Sequence, residues 1–360
     1  MCGMRHKTTM CLVLTVDLAR VAFTRFAVPT AQEGAQEWTG AEHPIGFAAT
    51  QIIPSWTART PPGSWIEIAL RARARSEAED TWTKWYVMGR WSEHGDPRTS
   101  VPGQGDEDGD VAVDTFVARR PVTAYQVRVT RHGEGAVVTG LGVMASALPP
   151  HPPAPPALPA RAARWSWTCP VTPSTRTPAT TRATTAAAPT GAARPRWRWC
   201  WRSGGAARPP EELAWVGGDD PAPAVDHAAA GTYDASYQGT GNWPFNVAYA
   251  GRYGLSGFVT RLRSAAELEP FVRAGIPVIT SQSFKAHELP GSCYSTNGHI
   301  LVVTGFTAEG DVVVNDPAAP PRTARSGGST RGPRSSTCGC GVRAAAASRT
   351  CCTPRRPSSS

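Results

Sequence analysis

The sequence predicts an α+β chain, with an antiparallel β-sandwich ahead of a domain of helices and antiparallel strands. Two alternating runs carry the first part. Trp65-Ile66-Glu67-Ile68-Ala69-Leu70 puts Ile66, Ile68 and Leu70 on one face, and Tyr125-Gln126-Val127-Arg128-Val129-Thr130 does the same with Tyr125, Val127 and Val129. A helix signal followed by three short strands carries the second part.

Between those alternating runs, Lys84–Gly89 and Val111–Phe116 read as further strands, separated by turns such as Thr60-Pro61-Pro62-Gly63. The sandwich is expected over 38–146, after an amino-terminal segment, 1–37, that could be a degenerate leader. Its apolar run Met10–Val16 is cut short by Asp17 and Arg20, and no small-residue cleavage site follows. Trp56, Trp82 and Trp91 could form a sugar-binding face, although core packing is the commoner use of tryptophan.

Residues 149–159 hold seven prolines in eleven positions, so 147–160 reads as a stiff linker. Beyond it, 161–208 has nine arginines, five tryptophans, Val171 as its one branched aliphatic residue, and no acid. The tail from 321 to 360 repeats the pattern, with eight arginines, four cysteines and no acid. Both segments read as GC-rich coding sequence translated out of frame, and the tail is expected to be disordered. They hold seventeen of the 37 basic residues and none of the 28 acidic ones, so the rest of the chain is at −8 although the whole is at +9. Basicity confined to such segments gives no ground for a nucleic-acid partner. No stretch approaches the ~20 apolar residues of a membrane helix, so no membrane span is expected.

Ordinary sequence resumes over 209–320. Pro209–Trp215 is a plausible helix start. Ser264-Ala265-Ala266-Glu267 is a capping box ahead of Leu268, Phe271 and Val272, and Gly275 closes that helix. Strands follow at Ile276–Thr280, His299–Phe306 and Asp311–Asn315, the last two joined by a turn at Thr307–Gly310.

That hairpin brings His299 and Asp316 to one edge of a sheet. An imidazole oriented by a carboxylate is the base half of a Cys- or Ser-His-Asp apparatus. A lone strand histidine is more often a satisfied core residue, and the Asp316 pairing shifts that balance only modestly. Cys338-Gly-Cys340 and Cys351-Cys352 lack the histidines and turns of a metal site, so no metal and no cofactor is expected. His227 and His287 read as surface histidines.

Asn297–Phe306 followed by Val313–Ala319 resembles the His and Asp motifs of the C39-like cysteine peptidases, which are papain-like proteins. Gly241-Asn242-Trp243-Pro244-Phe245-Asn246 and Gly275–Ile279 resemble them too, and Trp85–Trp91 resembles the accessory region of two-domain actinobacterial members. The resemblance implies a peptide or protein substrate, an extracellular location, and catalysis by a Cys with His299 as base and Asp316 as orienter. It places the Cys at the start of a helix, with an oxyanion Gln before it, and neither stands in this sequence. Read in a shifted frame, Trp199-Cys200-Trp201 decodes to Met-Val-Leu. Gly191 to Arg194 permits Trp-Cys-Ser-Pro, with the Cys codon split across Gly191 and Ala192. Cys169 and Cys200 are misplaced, and Cys293, in the loop before His299, is a weak substitute. The expected protein is a cysteine-peptidase relative that is inactive as written. The alternative is a secreted pseudo-enzyme that binds peptides, or glycans through the amino-terminal domain.

Overall fold

The account rests on a computed structural model of the chain, which describes residues 20–29, 36–75, 79–147, 165–166, 210–216, 223–263, 265–276, 278–284, 295–306, 312–315, 337–338 and 348–354. The described residues are mostly β, with a few short helices.

The amino-terminal half contains β1 (Arg20–Phe26), β2 (Glu37–Thr39), β3 (His43–Arg59), β4 (Trp65–Ala74), β5 (Thr81–Trp82), β6 (Tyr86–Trp91), β7 (Gly109–Ala112), β8 (Thr115–His132) and β9 (Val137–Ala147). All pairings are antiparallel, in the order β1-β9-β3-β8-β4-β5. β2 and β7 also pair with β8, and β6 with β4. The strands expected as an antiparallel sandwich are thus connected in one antiparallel sheet. Its long strands β3 and β8 span more than one set of partners, and β3 passes from β8 to β9 through bulges around Ala49–Gln51.

The alternating runs lie as expected. Ile66, Ile68 and Leu70 are fully buried, as are Val127 and Val129, with Tyr125 beside them. Arg20–Phe26, within the segment set aside as a possible leader, is a strand paired with β9, and its alternation turns Val21 and Phe23 onto buried Ile53 and Met144.

Val111–Phe116 is not one strand. It folds back at Val113 and Asp114 between β7 and β8, with Val113 in the left-handed region at φ 61°. The Asp114 N–H closes the turn on the Ala112 carbonyl. Side-chain alternation cannot reveal such a reversal, and the Val-Asp pair carries no glycine to mark it.

Trp56 and Trp91 are buried in the core and not on a sugar-binding face, so carbohydrate binding there has no structural support. Trp82 is half-buried beneath the Arg71 and Arg73 guanidinium groups.

The carboxy-terminal half has α1 (Pro210–Leu213), a 3-10 turn (Ala214–Val216), α2 (Pro223–Thr232), α3 (Trp243–Arg252) and α4 (Ala265–Arg273). Its strands are β10 (Trp165–Ser166), β11 (Leu255–Arg261), β12 (Val278–Phe284), β13 (Thr296–Phe306), β14 (Val312–Asn315), β15 (Thr337–Cys338) and β16 (Ser348–Pro354). They form an antiparallel sheet in the order β11-β16-β12-β13-β14-β15, with β10 on β13. The segments read as out of frame therefore contribute three strands, and β16 fills the slot between β11 and β12. Backbone pairing is indifferent to the side chains that made those segments look unstructured.

α3 is capped as its sequence demands. The Asn242 side chain accepts the Phe245 N–H at 3.1 Å, and Pro244 sits in the first turn, where a missing N–H is harmless. α4 ends at Gly275, φ 78°. The Gly275 N–H meets the Val272 carbonyl and the Ile276 N–H meets the Phe271 carbonyl, the paired bonds of a Schellman cap. At its start, Glu267 reaches back to the Arg263 N–H at 2.6 Å.

One hydrophobic core joins the halves. Phe245, Ala248, Tyr249, Leu255, Ile279 and Val302 belong to the same cluster as Trp56, Ile68 and Val127.

Candidate functional site

β13 carries His299. An unbroken apolar run, Ile300 to Val303, follows it, because this strand is covered on both faces. Leu301 and Val303 pack with Leu268 and Val272 of α4, while Val302 and Ile300 turn to the shared core. The strand is fixed in register on both sides. His299 stands opposite Gln282 of β12, and Val302 stands opposite Asn315 of β14. The expected hairpin strands are therefore present and antiparallel, and Asn315 is the last described residue before Asp316. Asp316 itself lies outside the described residues, as do Gly191, Ala192, Cys169, Cys200, Cys293 and His287.

Three cysteines fall within described strands. Cys351 pairs with Val278, which pairs on its other edge with Val303. Cys351 is thus two strands across and four positions along from His299, about 16 Å from it at ordinary strand spacing and rise. Cys352 is one position beyond. Cys338 pairs with Val312, opposite Phe306, and is farther still along β13. All three therefore lie two strands across and at least four positions along the sheet from His299.

His227, read from sequence as a surface residue, is buried at 8% exposure on α2. Its Nδ1 is 2.8 Å from the Tyr249 hydroxyl, and its Nε2 is 3.8 Å from a Glu212 carboxylate oxygen. Glu212 also accepts from the Tyr253 hydroxyl at 2.6 Å and from Arg252 at 3.3 Å. This cluster ties α1 to α2 and α3. Its members lie too far apart in sequence for spacing to reveal it.

Charged groups are also buried where the halves meet. The Asp114 carboxylate accepts the Trp243 N–H at 2.8 Å and the Thr115 hydroxyl at 2.9 Å. Burial outweighs those bonds and, with Asp234 nearby, pushes it up to about 6. Burial also lowers Arg261 to about 10, and burial together with Arg252 lowers Arg98 to about 10.

A small open cavity of about 280 Å³ lies beside this junction, lined by Ser100, Val101, Pro102, Val111, Val113, Ser236 and Tyr237. No described helix is long and apolar enough to cross a membrane.

The match to known families follows the division into halves. Residues 214–327 match the Peptidase_C39 like family, and residues 6–146 match the Peptidase C39 N-terminal domain. The chain is a two-domain C39-like protein. Its accessory half is of the actinobacterial kind, and that match takes in β1 and the residues before it. The comparison with curated proteins gave no match. Among solved structures, "Structure of infectious bursal disease virus Gt strain" is 11% identical, with a TM-score of 0.20. The alignment covers 36% of this chain and 30% of that one, a likeness that carries no argument.

Proposed function

We propose that the carboxy-terminal half is a cysteine-peptidase domain of papain-like plan, directed at a peptide or protein outside the cell, and that the chain as written is inactive. A C39-like domain with β13 and β14 paired in register supports the first part. The second part rests on the single observation that every cysteine in a described strand is remote from His299.

In a sequence with its frame restored, a thiolate at the helix start would attack the peptide carbonyl carbon. His299 would take the thiol proton and pass it to the leaving amine as the C–N bond breaks, and Asp316 would hold the imidazole tautomer. Water would then hydrolyse the thioester, with His299 as its base.

The test is to sequence the gene across codons 155–215 and from codon 315 to the stop, then assay the protein that the corrected frame encodes. Compensating single-base changes that give a Cys at the 191/192 position, with hydrolysis lost on its change to Ala, are the expected result. An unbroken frame as written, together with His299-dependent hydrolysis, would overturn the proposal.

A further inference from the structure

The two halves satisfy each other's buried polar groups. Arg261 of β11 is 6% exposed, and its guanidinium donates to the Gln51 side chain at 2.9 Å and the Ser146 hydroxyl at 2.7 Å. The Val259 N–H is taken by the Ser55 hydroxyl at 3.0 Å. The Trp243 N–H is taken by Asp114, and the Asp234 carboxylate accepts from the Ser100 N–H at 2.9 Å. Each lies across the junction from its partner, and all but the half-buried Gln51 and Trp243 are buried. Separation would expose apolar surface and leave an aligned guanidinium, three amides and two carboxylates to be resolvated.

Shape agrees with this. β3 is buried continuously from Ile52 to Ala58, because one face looks into its own half and the other supports α3 and β11. Gly251 of α3 lies so close to Thr57 that a Cβ there would be 2.6 Å from the threonine Cβ. Phe23 and Phe258 meet across the same junction with tilted rings, their centroids 4.7 Å apart.

We propose that the amino-terminal sheet is the folding partner of the C39-like half, holding it by a surface strong enough to outlast the covalent link. The occupant of that surface is this chain's own α3–β11 unit. The accessory half then acts as a built-in scaffold and not as a tethered module for binding sugar. This role is independent of catalysis and holds whether or not a nucleophile is present.

The test uses the full chain with a specific protease site placed between Pro149 and Pro159, folded first and then cut to completion. The expected result is that both fragments co-elute at the volume of the uncut protein at micromolar concentration. Amide exchange at 245–261 should stay as slow as before cutting. Fragments that separate, or exchange that becomes fast on cutting, would overturn the proposal. Gly251→Val should speed dissociation of the cut protein at least tenfold. Should that variant not fold, Ser55→Ala removes the Val259 contact, together with a longer bond to the Gly142 carbonyl at 3.4 Å, and should speed dissociation several-fold. Dissociation unchanged in the folded variants would equally overturn it.

Discussion

Replacing Phe245 with alanine strikes the point where the shared core is thickest. The ring is fully buried, with its centroid 5.4 Å from that of Trp91 and 6.1 Å from that of Trp56. Gly89 leaves room for it, since a Cβ there would stand 3.1 Å from the phenylalanine edge. Truncation removes the transfer free energy of the ring and opens a cavity between two large indoles that cannot easily close it. Such changes cost about 3–5 kcal/mol, against a total of about 5–15 kcal/mol for a typical domain. Urea unfolding followed by tryptophan emission suits the site, because the two nearest indoles flank the cavity. At a slope of about 1–3 kcal/mol per molar, the midpoint should fall by about 1–5 M with the slope unchanged. A loss below about 1 kcal/mol would mean that α3 is not seated between Trp56 and Trp91, and the shared core would have to be abandoned.

Two other outcomes follow from the same structure. Asp114 sits at about 6 in the fold against an ordinary 3.8, so the folded chain holds this proton longer than the unfolded one. Its contribution is therefore full below the ordinary value and is lost as pH rises through the folded value, by roughly 3 kcal/mol in all. Asp114→Asn should flatten the stability profile between about pH 4 and pH 6, measured by urea midpoints, and an unchanged slope would refute the assignment. Gly275 holds φ 78° at the end of α4, so Gly275→Ala should cost about 1–2 kcal/mol. A neutral result by thermal melting would mean that the helix ends another way.

Much of this was written locally. The alternation at Ile66–Leu70, the apolar run after His299, the Asn-Trp-Pro start of α3 and the glycine that ends α4 each follow from a few adjacent residues. What stayed hidden depends on distant partners. His227 is buried by Tyr249 and Glu212, and nothing near it in sequence says so. The turn at Val113–Asp114 looks like strand because its residues suit strand. Its reason lies across the junction, where Asp114 meets the start of α3. The tryptophans suggested a binding face, but Trp56 and Trp91 pack around a phenylalanine from the other half. For the proposed site, the strand that carries His299 was legible, while Asp316 lies outside the described residues. The segments at 161–208 and 321–360 carry no alternating pattern that would reveal β10, β15 and β16.

The most direct test of the central claim is hydrolysis of an unstructured protein such as casein by the purified full chain, set beside its His299→Ala variant. A C39-like protein without a nucleophile within reach of His299 predicts no difference between the two. Hydrolysis by the chain as written that disappears in the His299→Ala variant would contradict it, and would show that a working thiol reaches His299 after all.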